Sequence, residues 1–455
     1  MDLKDKRVLV VGLGKSGVAS ALFLKGRGAR VTVSDTKSPD QLRDEIPILL
    51  DHGIAVETGG HGERTFRGQD LIVVSPGVPV DAPPLVQARA AGEPVIGEIE
   101  LAAQNLLGPV VAITGSNGKT TTTTLAGEIL AAGGLPVAVG GNIGTPAISL
   151  VEGASRETVI VLEVSSFQLE TIQTFRPKVA VVLNITPDHL DRHRTFQTYV
   201  DAKARIFENQ QSDDFAVLNE DDPTCRTLRD RTRAEVFWFS RKQEVQSGAW
   251  VRDGKILFRD SSGQREIMPV NEIPLKGAHN VENVLAGVCA GALMGCEPAN
   301  IRKAIQEFKA VEHRLEYVAT IKGVEYFNDS KATNVDATIK ALESFPKNIH
   351  LILGGKDKGS DYTVLNDLLR ERVKRVYTIG AAAEKIESQI KGAAEVVHAE
   401  TLDNAIRRAA AVAQAGDIVL LAPACASFDQ FQSYNHRGRV FKDVVHSMEL
   451  QHAKA

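Results

Sequence analysis

The 455-residue sequence is poor in cysteine: it has four, Cys225, Cys289, Cys296 and Cys425, and none forms a CxxC pair or a zinc-ligand spacing. That excludes a disulfide-stapled scaffold and points to reduced thiols in a cytoplasmic protein. No apolar run approaches the about 20 residues needed to cross a bilayer. The opening Met1-Asp2-Leu3-Lys4-Asp5-Lys6 leads directly into a strand, without the apolar stretch of a signal peptide. Neither sign of charge dominates. With 53 Lys plus Arg against 57 Asp plus Glu, the chain has no electrostatic footprint for nucleic acid or an anionic membrane. Low-complexity linkers and repeats at solenoid spacing are also missing. What remains is the composition of a soluble globular protein, 43% hydrophobic and 24% charged. It is too long for a single core, and its length suggests about three domains.

The most informative stretch is Ile113-Thr114-Gly115-Ser116-Asn117-Gly118-Lys119-Thr120-Thr121. An apolar run, Val110 to Ile113, precedes it as a buried strand, and Thr121 to Ala132 follows as a helix stopped by Gly133-Gly134. Strand, glycine loop, lysine, hydroxyl and helix describe a phosphate cradle. Backbone N–H groups and the helix N-terminus face the anion, Lys119 adds positive charge, and the Thr120 hydroxyl suits Mg²⁺. The spacing is shorter than in the common P-loop, with two residues between Gly115 and Gly118 where the general pattern has four. A plain strand-to-helix turn is the alternative; a nucleoside triphosphate site is the expectation.

Residues 1–97 form the first expected domain. Strand Arg7 to Val11 runs into Gly12-Leu13-Gly14-Lys15-Ser16-Gly17, then a helical stretch, Val18 to Gly26, and a second strand, Arg30 to Ser34, ending at Asp35. Alone, this G-x-G-x-x-G with a later acidic residue predicts NAD and a dehydrogenase. The unit is short for a dinucleotide, however, because the strand Asp70 to Val74 and Ser75-Pro76-Gly77-Val78-Pro79 lead straight on to the second nucleotide motif. A half-sized Rossmann-like domain holding a nucleotide diphosphate near Gly14, Ser16, Asp35 and Thr36 is the better reading.

Residues 98–310 alternate strand and helix, which predicts a mostly parallel sheet with sites at strand ends. Polar groups gather where those strands should end: Gly140-Gly141-Asn142-Ile143-Gly144, Glu163 followed by Val164-Ser165-Ser166-Phe167-Gln168, and Asn184, Thr186, Asp188 and His189. A carboxylate and an imidazole there, with Lys119 and Thr120, suit Mg²⁺ ions on phosphates. The competing reading pairs His189 and His193 as zinc ligands, and Glu163 alone could be a plain strand-end carboxylate. Lys203, in a helical run, reads as a solvated surface lysine. Asp253-Gly254 between two apolar segments predicts a hairpin. Asn280 and Asn283 share a helix face on which amides could read an adenine edge, although Asn280 could equally be a helix cap.

Residues 311–455 begin a fresh strand–helix series. Two loops are dense in polar groups, Asn328-Asp329-Ser330-Lys331-Ala332-Thr333-Asn334 and Pro423-Ala424-Cys425-Ala426-Ser427-Phe428-Asp429-Gln430-Phe431. An ammonium and hydroxyls at strand ends suit a small dianionic substrate, and either loop singly could be an ordinary surface loop.

Taken together, these motifs resemble the Mur ligases along essentially the whole chain. The short phosphate loop Thr114 to Thr120, Gly141-Asn142-Ile143-Gly144, Glu163 to Leu169 and Asp188-His189-Leu190-Asp191-Arg192-His193 match blocks of that family. The two C-terminal loops resemble its D-glutamate-adding branch. The resemblance implies an α/β protein of three domains: a Rossmann-like UDP-sugar domain, a central P-loop-type ATPase domain and a Rossmann-like amino-acid domain. It further implies a cytoplasmic, monomeric ligase of peptidoglycan synthesis using ATP, two Mg²⁺ ions, UDP-N-acetylmuramoyl-L-alanine and D-glutamate, with no nucleic-acid or membrane partner. Position by position, ATP would meet Gly115, Ser116, Asn117, Gly118, Lys119, Thr120, Thr121, Asn280, Asn283, Arg314 and Asp329. The UDP-substrate would meet Gly14, Ser16, Asp35, Thr36, Gly77, Asn142 and His189, and D-glutamate would meet Lys331, Thr333, Ser427 and Phe428. Lys119, Glu163, His189 and Lys203 would be catalytic. The metal ligands would be Thr120, Glu163, His189 and a carbamylated Lys203, since carbamylation turns an ammonium into an anion. A hinge is expected near Ala310 to Glu312.

Overall fold

The computed structural model describes residues 3–275, 277–309 and 311–453. Ala310, the first residue of the expected hinge, lies outside the described residues. The chain divides into two bodies. The first carries two sheets, and the second carries one sheet together with the short segments Thr186–Arg194 and Ile273–Glu282.

The first sheet is built from β1 (Arg7–Val11), β2 (Arg30–Ser34), β3 (Ala55–Glu57), β4 (Leu71–Val74) and β5 (Val95–Gly97), all parallel, in the order β3-β2-β1-β4-β5. Its strands read as unbroken apolar runs because both faces are covered. Val8 and Val10 point to one side, onto Ala21 and Leu24 of the helix Lys15–Gly26, while Leu9 and Val11 point to the other, onto Phe66 and Leu85. The chain reverses direction across the sheet between β1 and β4, and ligands bind at such reversals.

The second sheet follows with β6 (Val110–Thr114), β7 (Val137–Gly141), β8 (Val159–Glu163), β9 (Val179–Val182), β10 (Phe215–Asn219), β11 (Glu235–Ser240), β12 (Gly248–Arg252), β13 (Lys255–Asp260) and β14 (Gly263–Pro269). Their order is β14-β13-β12-β11-β10-β9-β6-β8-β7, parallel from β7 to β12 and antiparallel beyond. The predicted hairpin joins β12 to β13. Asp253 and Gly254 take φ values of 51° and 72°, the left-handed pair that a type I′ turn requires. The first two sheets are tied together through the helix Glu98–Ala103. Its Glu100, fully buried, accepts the N–H groups of Gln173, Thr174 and Phe175 at 2.8–3.0 Å and the Thr174 hydroxyl at 2.5 Å.

The third sheet, in the second body, comprises β15 (Glu316–Ile321), β16 (Val324–Asn328), β17 (Ile349–Gly354), β18 (Val373–Ile379), β19 (Glu395–Glu400) and β20 (Ile418–Leu421) in the order β15-β16-β20-β17-β18-β19, with only the β15–β16 pair antiparallel. Leu351 and Leu353 of β17 enter one apolar layer and Ile352 the other. No helix among the described residues is long and apolar enough to cross a membrane.

Glu316 anchors the start of this sheet. Its carboxylate accepts from the His313 N–H (2.9 Å), Asn328 Nδ2 (3.0 Å) and Lys442 Nζ (2.7 Å). Burial opposes its ionisation, but the hydrogen bonds from His313 and Lys442 outweigh that and hold the carboxyl down to about 2. A depressed carboxyl contributes stability above its unfolded value of 4.5 and loses it as pH falls toward 2. Glu316→Gln is therefore expected to melt below wild type at pH 7. The deficit should shrink as pH falls below about 4.5 in thermal denaturation followed by circular dichroism.

Candidate functional site

The glycine loop after β1 is shaped by close backbone approach. Gly12 has φ 93°, the Ser75 hydroxyl donates to its carbonyl at 2.8 Å, and a Cβ on Gly17 would overlap that same carbonyl. Gly14 and Ser16 stand at the start of the helix Lys15–Gly26, Asp35 and Thr36 follow β2, and Gly77 follows β4. All five expected residues thus lie at the carboxyl ends of three neighbouring strands. The Asp35 carboxylate, the later acidic residue of the NAD reading, also has a local role. It is buried, and its oxygens accept the backbone N–H groups of Leu13 (2.6 Å) and Lys37 (2.8 Å), so it shapes the glycine loop itself.

In the second sheet β6 lies between β9 and β8, and the residues that follow these strands converge. Gly115 and Gly118 take φ 154° and 86°. The N–H groups of Ser116 and Asn117 donate to the carbonyl and side-chain oxygens of Asn184 at 2.9 and 2.8 Å, which fixes the loop's curl. Lys119 opens the helix Lys119–Ala132, and its Nζ donates to the Gly115 and Ser116 carbonyls at 2.9 Å each. The Thr120 hydroxyl donates to Glu163 Oε2 at 2.7 Å, and Asn142 Nδ2 donates to Oε1 at 2.9 Å. Thr121 and Asn283 are also buried, and Thr122 Oγ1 donates to Asn283 Oδ1 at 3.3 Å. Gly140 and Gly141, expected after the strand, instead form the end of β7.

Lys203 corrects the surface reading. It is 1% exposed, with its Nζ donating to the Gly115 carbonyl at 2.8 Å and lying 4.7 Å over the Tyr199 ring. The cause is helical geometry: Lys203 falls four residues after Tyr199, on the face of the helix Phe196–Ala204 that turns inward. That spacing was the available signal, and it also finds Tyr199, whose hydroxyl lies 3.1 Å from Ser116 Oγ. Asn280 sits inside the helix Ala278–Leu293, past its first residue, so it is not the cap.

In the second body, His189 takes φ 53° and leads the turn Leu190–His193. Its N–H donates to Asp188 Oδ1 at 2.9 Å, and Asp188 in turn accepts from Asn334 at 3.0 Å and lies 3.6 Å from Lys358. Burial pushes the Asp329 carboxyl up to about 6 against the pull of Arg314 and Lys331. Burial, reinforced by Arg314 and Lys340, holds His279 down to about 3. Arg314 is thus electrostatically coupled to Asp329 and to the neighbour of Asn280. Lys331 lies 5.4 Å over the Tyr434 ring, and the Thr333 N–H donates to the Lys331 carbonyl. Ser427 is buried and Phe428 is 68% exposed.

Three family models match the chain in succession: Mur ligase MurD-like, N-terminal domain over residues 6–97, Mur ligase middle domain over 113–291, and Mur ligase, glutamate ligase domain over 313–425. The chain is 68% identical to the UDP-N-acetylmuramoylalanine–D-glutamate ligase of Koribacter versatilis, over 100% of both chains. It is 60% identical to that of Acidobacterium capsulatum, over 98% of this chain and 97% of the other. The chain belongs to the Mur ligases, among the UDP-N-acetylmuramoylalanine–D-glutamate ligases. Among solved structures, a pseudomurein peptide ligase type C of Methanothermus fervidus is similar with a TM-score of 0.61 and 20% identity, covering 98% of this chain and all of that one. The UDP-N-acetylmuramate–alanine ligase of Thermotoga maritima gives 0.60 and 21%, covering 97% and 100%. At such identities the likeness concerns the fold. Membership sets aside the dehydrogenase that the first glycine motif alone suggests.

One residue of this Mur ligase escaped the sequence reading altogether. Arg437, fully buried in the helix Tyr434–Ala453, donates from Nε to Ser330 Oγ (3.0 Å) and from Nη2 to the carbonyls of Ser330 (2.8 Å) and Cys425 (3.1 Å). It joins the 329–334 loop to the 423–431 loop. Arg437→Met is expected to orphan those carbonyls and cost about 3 kcal/mol in urea denaturation. At the other loop, a Cβ on Gly118 would overlap Asn283 Oδ1 at a φ that disfavours side chains. Gly118→Ala should therefore weaken nucleotide binding at least about tenfold by calorimetry, with the melting temperature also lowered.

Proposed function

We propose that this chain joins D-glutamate to UDP-N-acetylmuramoyl-L-alanine in an ATP-dependent step of peptidoglycan synthesis, acting in the cytoplasm as a monomer. Residues 1–97 take the UDP-sugar, 98–310 the ATP and 311–455 the amino acid. The observation that carries the reading is the buried Thr120–Glu163 pair beside the Lys119 loop, with Asn142 donating to the same carboxylate.

That group supports Mg²⁺. Among the described residues, no three His, Cys, Asp or Glu side chains form a group that could hold a metal ion unaided. A hydroxyl and one carboxylate nonetheless suit Mg²⁺, which takes few protein ligands and completes its shell with phosphate oxygens and water. Thr120 and Glu163 would hold one ion. His189 and Lys203, the latter as its carbamate, are assigned to Mg²⁺ as well. When bound, Mg²⁺ neutralises charge on the phosphates.

The chain's own groups do the rest. A carboxylate is a poor acyl donor, so the alanyl carboxylate is first phosphorylated by ATP to an acyl phosphate. Lys119 and the glycine loop from Gly115 to Thr121 hold the phosphates, and the transfer depends on positioning and charge. Asn280 and Asn283 serve the adenine side, with Arg314 and Asp329 also on the nucleotide. Among the described residues the buried Arg314 Nε has no hydrogen-bond partner, so it is a donor that a nucleotide oxygen would satisfy. Gly14, Ser16, Asp35, Thr36, Gly77, Asn142 and His189 serve the UDP-substrate. Lys331, Thr333, Ser427 and Phe428 orient D-glutamate, whose amine attacks the acyl carbon, and phosphate leaves the tetrahedral intermediate.

Phosphate release from ATP with UDP-N-acetylmuramoyl-L-alanine should be stimulated by D-glutamate and not by L-glutamate, D-aspartate or L-lysine. Glu163→Ala and Lys203→Ala should each lower turnover about a hundredfold or more with the fold retained. Stimulation by a different amino acid would move the substrate assignment, and wild-type turnover in Lys203→Ala would remove the carbamate.

A further inference from the structure

We propose that Glu98 is a positioning residue of the ligase reaction: reaching from the end of the first sheet, it braces the two loops that bring Asn142 and Glu163 together. The proposal rests on the reading that Glu163 and Asn142 serve the reaction.

Glu98 opens the helix after β5 and is 1% exposed. Its Oε1 accepts the Ile148 N–H at 2.8 Å. Ile148 lies in the 3₁₀ turn Ala147–Leu150, just beyond a loop that closes on itself through the bond from the Gly141 N–H to the Thr145 carbonyl at 2.8 Å. That loop carries Asn142. The other oxygen of Glu98, Oε2, and Gln168 Nε2 are both buried with no ideal hydrogen-bond partner among the described residues, and the Gln168 side chain lies close enough to stabilise the Glu98 carboxylate. Both residues line one narrow pocket, walled by Val74, Val78, Val80 and Phe167.

An acceptor and a donor left over in the same apolar pocket are complementary, and buried polar atoms rarely stay unpaired. Gln168 is already committed at its other end. Its Oε1 accepts the Ser165 N–H at 2.9 Å and the Ser165 hydroxyl at 3.0 Å, capping the turn Ser166–Leu169 directly after Glu163. Glu98 therefore faces both flanks of the group: the Asn142 loop through Ile148 and the Glu163 loop through Gln168. Between them, Asn142 donates its N–H to the Glu163 carbonyl at 2.8 Å and its Nδ2 to the carboxylate. Glu100, two residues along the same helix, instead clamps residues 173–175 and works as a staple.

The test is a side-chain swap on the full-length protein, read as the Mg²⁺ half-saturation of D-glutamate-dependent phosphate release. Glu98→Gln sets two amides facing each other or breaks the Ile148 bond. Gln168→Glu keeps the Ser165 cap and sets two carboxyls face to face. Each near-isosteric change is expected to raise the Mg²⁺ half-saturation about tenfold. The double variant E98Q/Q168E restores one donor and one acceptor, and should return to within about twofold of wild type. Glu100→Gln should lower the melting temperature without moving the Mg²⁺ value. If both single variants kept the wild-type half-saturation, or the double variant showed the sum of their defects, the positioning role would be overturned. Glu163→Gln separates the two levels of the argument: loss of its turnover upholds the reaction assignment whatever Glu98 does, whereas wild-type turnover would take both down.

Discussion

Burying the Glu163 carboxylate at the end of β8 sets a requirement that the neighbouring strands must meet. A carboxylate out of water needs hydrogen-bond donors, and an unpaired one is costly. Because β8 lies between β6 and β7, the segments following those two strands reach it, and each supplies one donor, Thr120 and Asn142. Both donors are neutral. Together the two hold the Glu163 carboxylate in place beside the phosphate loop. Two lysines also converge here, Lys119 and Lys203, both donating to the Gly115 carbonyl. Strand order thus decides which side chains can gather here.

Much of this was legible from the sequence because parallel sheets covered on both faces are written as continuous apolar runs. The runs at Arg7 to Val11, Arg30 to Ser34 and Val110 to Ile113 all became strands. Edge strands were harder. β15 and β19 are half exposed along their length, so Glu316–Ile321 and Glu395–Glu400 carry mixed polar and apolar residues without a strong period. The glycine loops could be read because their backbone geometry demands particular residues. Buried charges could not, since a sequence does not say what a charged side chain will face. Lys203 lies in a helix that reads as surface, Glu98 and Glu100 read as ordinary acidic residues of a first helical turn, and Arg437 sits in a polar stretch with no motif around it.

Arg437 shows why such a residue matters to chemistry it does not touch. The two loops rich in substrate-type groups follow β16 and β20, which are neighbours in the third sheet, so both leave it at the same end. Their backbone carbonyls at Ser330, Cys425 and Ala426 turn inward, where water cannot serve them. A planar guanidinium offers several donors in one fixed fork and can satisfy carbonyls from both loops at once; an ammonium would be a point charge with a less defined direction. Burial lowers the guanidinium only to about 10, so it remains charged at neutral pH. The cation that fixes the loops also places permanent positive charge next to Lys331, by way of Ser330. The D-glutamate site proposed for these loops would gain from that arrangement twice, in geometry and in field.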